Sequence, residues 1–397
     1  MKPFVLTHYT ATSCLGAGLA PTLEALRATR SGLAPCRFLD VELDTWVGSV
    51  AGLEDVALPA ASRGFDCRNN RLAFLGLGQD GFDDAVREAA RRLGADRIGV
   101  FIGTSTSGIL ETELAYRNRD PVTGALPERF NYVGTHNTFS VGAFVREALG
   151  LAGPASVVST ACSSSAKAFG MAARMIELGL IDAAIVGGVD SLCLTTLYGF
   201  HSLQLTATRP CRPFAADRDG ISIGEAAAFA LLERPSPRDD ERSIALLGVG
   251  ESNDGYHLST PHPEGLGARL AMRAALEAAS LAPEAIDYVN LHGTGTISND
   301  LAESIAVEAV LGSHARSSST KGATGHTLGA AGALEAVICA LALREQFIPG
   351  GSSTGLADRS LPVDYVGRAT SAPITHVLSN SFGFGGTNCS LAIGRLA

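Results

Sequence analysis

The chain contains no apolar run approaching the ~18 residues that a membrane-spanning helix needs. Its longest runs, such as AVICALAL at 336–343, have the length of core elements, and no membrane insertion is expected. None of its eight cysteines forms a C-x-x-C pair. That removes the sequence patterns of a disulfide framework and of a zinc site, and it points to a reducing cytoplasm. Excess positive charge is missing too: 31 Lys and Arg stand against 40 Asp and Glu, for a net charge of −9. A general nucleic-acid binder would carry the opposite field. The first residues, MKPFVLTHYTATSC, offer one Lys and a three-residue apolar run, which is not the pattern of a signal peptide. What is present is a globular composition, 46% hydrophobic and 18% charged over 397 residues. That length suits roughly two or three domains.

The strongest composition break is ERPSPRDDERS at 233–243, rich in Pro and charge between apolar AAAFALL and IALLGVG. It divides the chain into 1–240 and 241–397. The runs at 97–103, 155–159 and 182–188 read as buried strands in the first half, and those at 244–250, 286–291 and 376–381 in the second. Helical patterns lie at 163–179, 266–280, 301–311 and 329–345. This alternation predicts layered α/β structure. A strand ending in Gly-Thr-x-Thr occurs in FIGTST and again in NLHGTGT, a hint of duplication.

In VVSTACSSSAKAFG, residues 157–170, Cys162 sits where a strand gives way to a helix that is apolar on most faces. The N–H groups and dipole at a helix start favour a thiolate there. Taken alone, the residue is either a small buried hydrophobe or a nucleophile. Three further stretches have the same strand-to-Gly-turn form. NLHGTGT places His292 at a strand end, and STKGATGHTLGAAGALEAV places Lys321 and His326 around a turn, with Glu335 on the following helix. SNSFGFGGTNCSL places Phe382 and Phe384 in a third turn. Two histidines in such turns suggest a site built on the C-terminal ends of strands.

TACSSS, DAAIVGGVDSL, RPCRPFAADRDGISIGEAAAFALLE, YVNLHGTGTISND, TKGATGHTLGAAGALE and NSFGFGGTN, in that order, resemble the β-ketoacyl-acyl-carrier-protein synthases of the I/II type. These are decarboxylating condensing enzymes of the thiolase superfamily. The resemblance implies a thiolase-like five-layered α-β-α-β-α fold of two pseudo-duplicated halves, the first carrying the nucleophile and the second the two histidines. It implies that Cys162 takes an acyl chain as a thioester. His292 and His326 would donate hydrogen bonds to the malonyl thioester carbonyl as CO2 leaves. Lys321 would hold the network of the second histidine, and Glu335 would pair with Lys321. Thr294 and Thr296 would bind the phosphopantetheine arm of an acyl carrier protein, which carries the substrate, so that no resident cofactor or metal is required. Phe384 would gate the acyl pocket, its backbone N–H completing an oxyanion hole with that of Cys162, while Phe382 packs beside it. Thr106 and Tyr132 align with positions bounding the acyl tunnel, Tyr132 from the partner subunit. Asp300 and Glu303 would be structural, and His257 and His262 would lie in a loop near the entrance. The residue types suit the chemistry: a thiolate is both nucleophile and leaving group, and preorganised N–H donors stabilise charge on oxygen.

The chain departs from housekeeping members at its N-terminus, at Lys167 and in CRNNRL at 67–72. These departures resemble ketosynthases of specialised bacterial pathways, such as aryl polyene clusters. An acidic carrier docking on an acidic chain needs a local basic patch. Arg63, Arg68 and Arg71 form one candidate, and Arg209 and Arg212 another, so charge reversal at Arg68 or Arg209 is expected to raise KM. The partners implied are an acyl carrier protein and either a second copy or a related ketosynthase-like subunit. A non-catalytic chain-length-determining subunit is the alternative, but it would lack the nucleophile. A thiolase would need a second catalytic cysteine, and Cys389 lacks the Cys-x-Gly-Gly-Gly context. A Cys-His-Asn initiating synthase would need Asn where His326 stands.

Overall fold

Uncharged runs of Val, Ile and Ala become strands covered on both faces. The computed structural model describes residues 1–313, 315–351 and 357–396. The N-terminal half supplies β1 (Phe4–Ser13), β2 (Ile98–Gly103), β3 (Ala155–Val158), β4 (Ala183–Asp190) and β5 (Ala226–Glu233). The C-terminal half supplies β6 (Ile244–Asn253), β7 (Tyr288–Asn290), β8 (Arg316–Ser318), β9 (His376–Gly383) and β10 (Thr387–Arg395). The spatial orders are β3-β2-β4-β5-β1 and β8-β7-β9-β10-β6.

Counted in chain order, the two arrangements are the same. The second strand of each half runs parallel to the third and fourth, and the fifth runs antiparallel to the fourth and first. β2 and β7 are therefore equivalent, and Gly-Thr-x-Thr stands at the C-terminal end of each, its Gly closing β2 and following β7 after Leu291 and His292. The sheets join where Phe4 and Val5 of β1 pair antiparallel with Leu246 and Ala245 of β6. The loop 234–243 links β5 to β6.

Helices complete five layers. α1 (Arg68–Leu77) and α2 (Phe139–Ala148) cover the outer face of the first sheet. α3 (Ser164–Glu177) lies between the sheets, α4 (Leu266–Ala279) and α5 (Ile297–Leu311) cover the second sheet outside, and α6 (Ala331–Glu345) shares the middle layer with α3. A helix with a sheet on either side must be apolar all round. In α6 every residue from Ala331 to Leu343 is buried, Glu335 included.

Three expectations shift. β3 is half-buried along its whole length rather than buried, because it is the outermost strand of its sheet, a position that composition does not encode. α5 begins at Ile297 and not 301; Thr296 is its N-cap, its Oγ1 accepting from the Asn299 N–H at 3.4 Å. The polar Ser298-Asn299-Asp300 run is thus a helix start rather than loop. α6 begins at Ala331, after a 3-10 turn over Leu328–Ala330.

Candidate active site

Strand ends and helix starts converge at one place. At Gly103, which closes β2, a Cβ would lie 2.2 Å from the Ser165 nitrogen, so the bare Cα lets the start of α3 close on the sheet. Ahead of α3, Ala161 holds φ +53°, a left-handed conformation costly for a residue with a Cβ. The three serines secure this elbow. Ser163 Oγ donates to the Thr160 carbonyl at 2.9 Å and Ser164 Oγ to the Ala161 carbonyl at 2.6 Å. Ser165 Oγ accepts from the Ala333 N–H at 2.9 Å, tying α3 to α6.

Cys162 is buried at this elbow. Burial pushes its thiol up to about 11, against the Lys321 ammonium and the Phe384 backbone N–H, which pull it down. The helix start therefore does not make a resting thiolate, contrary to the sequence expectation, because desolvation of the sulfur outweighs the donors aimed at it.

His326 Nε2 lies 3.0 Å from Cys162 Sγ. Its Nδ1 accepts from the Leu328 N–H at 3.3 Å, which places the ring proton on Nε2, facing the sulfur. The His292 ring centroid is 5.3 Å from that of His326, the rings nearly perpendicular at 83°. Its Nδ1 is 3.4 Å from Lys321 Nζ, so its own proton belongs on Nε2 as well. Burial, reinforced by the Lys321 charge, holds both histidines well below the usual imidazole range. They are neutral donors.

Lys321 is buried and forms an ion pair with Glu335. Burial raises the Glu335 carboxyl to about 7 against the pull of Lys321. Lys321 thus supports His292 and not His326. The helical turn Lys321–Thr324 and the left-handed Gly325 (φ +71°) carry His326 away from it. Cys162, His292 and His326 present donor atoms within 4.8 Å of one another, a spacing that could hold an ion. The neighbouring ammonium opposes a cation there.

Cys162, His292 and His326 lie on the floor of a cleft whose walls include Thr294, Thr296, Phe382, Phe384 and His257. Thr294 and Thr296 share a hydroxyl contact at 2.9 Å. Glu303 accepts from the His292 and Gly293 N–H groups at 2.7 Å each, and Asp300 from the Phe214 N–H at 2.8 Å and the Gly295 N–H at 3.2 Å. Both acids therefore shape the His292 loop. Phe382 packs 6.1 Å from the His292 ring, and Phe384 packs 5.6 Å from Phe200, a wall residue the sequence did not single out. The Phe384 turn depends on Gly385 and Gly386, both left-handed at φ +76° and +70°.

Other expected residues lie elsewhere. Thr106 is buried with its hydroxyl on Asp190 at 2.8 Å, and Tyr132 is exposed beside His136; neither is among the cleft-lining residues of its own chain. Lys167 faces Glu251 at 3.9 Å. Two docking candidates are corrected. Arg68 is 8% exposed, held by the fully buried Glu225 and by Glu54; Arg212 is 4% exposed, 3.0 Å from Asp219. Side chains consumed by internal acids present no charge to a partner. Arg71 pairs with Asp66 and Arg209 with Asp217, both partly exposed, and Arg63 is exposed.

Residues 73–237 match the family model described as beta-ketoacyl synthase, N-terminal domain, and residues 244–353 match its C-terminal domain. A 3-oxoacyl-[acyl-carrier-protein] synthase 2 of Coxiella burnetii is 33% identical, covering 99% of this chain and 98% of that protein. Nodulation protein E of Rhizobium meliloti is 34% identical, with 95% of each covered. Among solved structures, one chain of the complex of the ketosynthase ApeO with its chain length factor ApeC from Xenorhabdus doucetiae matches with a TM-score of 0.87 and 37% identity, over 100% of this chain and 98% of that one.

Proposed function

The chain belongs to the beta-ketoacyl synthase family, and from that premise we propose how its residues divide the work of a decarboxylative condensation. It is an acyltransferase that joins an acyl group to malonyl-carrier, giving β-ketoacyl-carrier and CO2. The observation that carries the residue roles is the 3.0 Å contact between Cys162 Sγ and His326 Nε2 at the floor of the cleft, with His292, Lys321 and Glu335 behind it.

In the first half-reaction the Cys162 sulfur attacks the thioester of an acyl-carrier. The tetrahedral oxyanion sits against the Cys162 and Phe384 N–H groups, and the pantetheine sulfur leaves as a thiol, taking the proton that the Cys162 thiol gives up. The thiol at rest is protonated, and Lys321, the Phe384 N–H and the His326 Nε2–H favour its ionised form during attack. In the second half-reaction the malonyl thioester carbonyl takes the Nε2–H groups of His292 and His326. The bond to the carboxylate breaks, CO2 leaves, and its electron pair becomes an enolate whose oxygen those two donors stabilise. Two neutral imidazoles suit this step, since each supplies a fixed dipole and needs no reorganisation. The enolate carbon attacks the Cys162 thioester, its new carbon–carbon bond replaces the bond to sulfur, and the Cys162 thiolate leaves and takes a proton from water to restore the resting thiol.

Thr294 and Thr296 lie on the cleft wall, which supports the role we propose for them, hydrogen bonding to the phosphopantetheine arm of the carrier. We place the reaction in chain elongation of the fatty acid or polyketide type, with the aryl polyene class as its specialised form. The partners we propose are an acidic acyl carrier protein and a second ketosynthase-fold subunit, identical or related. The ApeO–ApeC complex supports the related subunit. The half-buried edge strand β3 and the exposed Tyr132, Val133 and Phe139 support a subunit contact on that side. Among the described residues no helix is long and apolar enough to cross a membrane. We place the chain in the cytoplasm, where its free cysteines would stay reduced.

Intact-protein mass spectrometry tests this. Wild type, incubated with a panel of acyl-carrier thioesters, is expected to gain one acyl group and to lose it as β-ketoacyl-carrier when malonyl-carrier is added; Cys162→Ala is expected to gain none. Equal acylation of Cys162→Ala would overturn the assignment of the nucleophile.

A further inference from the structure

Asp190 ends β4, is fully buried and is not a wall of the cleft. Its carboxylate gathers donors from separate segments of the chain. Oδ1 accepts from Thr104 Oγ1 at 2.7 Å and from the Ser105 N–H, the Thr106 N–H and Thr106 Oγ1 at 2.8 Å each. Oδ2 accepts from the Gly329 N–H at 2.5 Å and the Ser105 N–H at 3.0 Å. Burial raises the pKa of this carboxyl above its ordinary value, and these donors offset part of that rise.

Each of the donating segments leads to a reacting group. Ser105 Oγ donates to the Ala161 carbonyl at 3.4 Å, next to Cys162. Gly329 follows His326 by three residues. Between them Leu328 holds φ +52° and gives its N–H to His326 Nδ1. Gly329 must be bare, since a Cβ there would lie 2.8 Å from both Asp190 Oδ2 and the Ser105 nitrogen.

We propose that Asp190 is a positioning residue that clamps the turn carrying His326 to the elbow carrying Cys162, and thereby sets the Nε2–Sγ contact. The inference rests on the condensation reading above. The clamp works because a carboxylate only accepts. An amide of the same size would turn an NH2 toward these donors, leaving at least one buried N–H without a partner. The two strained residues, Ala161 and Leu328, would then be free to relax. A shift of about 1 Å between reacting groups costs on the order of 10²-fold in rate.

The charge of Asp190 also reaches the sulfur. It raises the Cys162 pKa, as Glu335 does, while Lys321 lowers it and the two histidines face it as neutral rings. Removing that charge moves Cys162 ionisation to lower pH, a change that a merely structural residue would not produce.

The test uses Asp190→Asn and the milder Thr104→Val in the full chain. Circular dichroism checks folding, steady-state turnover uses acyl- and malonyl-carrier, and iodoacetamide labelling of Cys162 across pH is read by intact mass against Cys162→Ala. For Asp190→Asn we expect kcat to fall on the order of 10²-fold, with KM for the acyl donor nearly unchanged and the labelling midpoint at lower pH. Thr104→Val, which removes one donor, is expected to lose several-fold in kcat. A folded Asp190→Asn with wild-type kcat and midpoint overturns the inference. Should Asp190→Asn not fold, Thr104→Val decides, and wild-type turnover in it overturns the clamp. A wild type that never condenses refutes the reaction and not the clamp, because labelling needs no carrier.

Discussion

Arg68 provides the sharpest test of the difference between a docking cation and a core cation. Its guanidinium holds Glu225 in a fork, Nη2 to Oε1 at 2.6 Å and Nε to Oε2 at 2.9 Å. The same carboxylate accepts from the Val50 N–H at 2.8 Å and the Leu192 N–H at 2.9 Å, and the guanidinium also lies 5.2 Å over the Phe38 ring. Glu225 is 0% exposed. Arg68→Met leaves that charge with two backbone donors and no cation. Breaking a buried pair by removing one partner costs about 3–5 kcal/mol. At about 2 °C per kcal/mol for a large domain, Tm should fall by about 6–10 °C. Arg68→Met with Glu225→Leu removes both charges and should recover most of the loss, giving a coupling energy of at least about 2 kcal/mol. Arg209, 55% exposed and paired with Asp217 at 52%, should cost less than about 0.5 kcal/mol when replaced by Ala. The assay is thermal unfolding at fixed protein concentration, run beside KM for acyl-carrier. A stable Arg68→Met whose only defect is a raised KM would refute this reasoning and return Arg68 to the carrier surface.

Two further outcomes follow from the site. Because burial lifts Cys162 to about 11, its labelling by iodoacetamide in the free chain should keep rising above pH 9, and Lys321→Met, which removes the cation that lowers this pKa, should move the rise to still higher pH; a plateau near neutral pH in wild type would contradict the burial argument. Gly103→Ala, whose Cβ would sit 2.2 Å from the Ser165 nitrogen, should push α3 off the end of β2 and destabilise the fold by at least about 1–3 kcal/mol, seen as a lower Tm.

The chemistry-bearing residues and the layered architecture are legible in consecutive residues. Cys162, His292, His326, Lys321, Glu335, Thr294, Thr296 and Phe384 each sit in or beside a Gly- or Ser-rich turn, or on the helix that follows one. Such turns are local features, written in consecutive residues. The same is true of the apolar runs that become strands, and of the repeated Gly-Thr-x-Thr that marks equivalent strands of the two halves.

Which polar partners meet is set by the three-dimensional fold. Arg68 and Arg71 are three residues apart on one helix, yet one faces a buried carboxylate and the other the surface. Lys321 is nearer His326 in sequence but reaches His292. β3 resembles its neighbours in composition and differs in being an edge. Asp190 appeared in the sequence only as one residue of DAAIVGGVDSL, although it joins the turns that carry His326 and Cys162. The physical reason is common to all four. Burial, hydrogen-bond partners and the pKa of a thiol depend on groups brought together from distant parts of the chain, and no local pattern records which groups those will be.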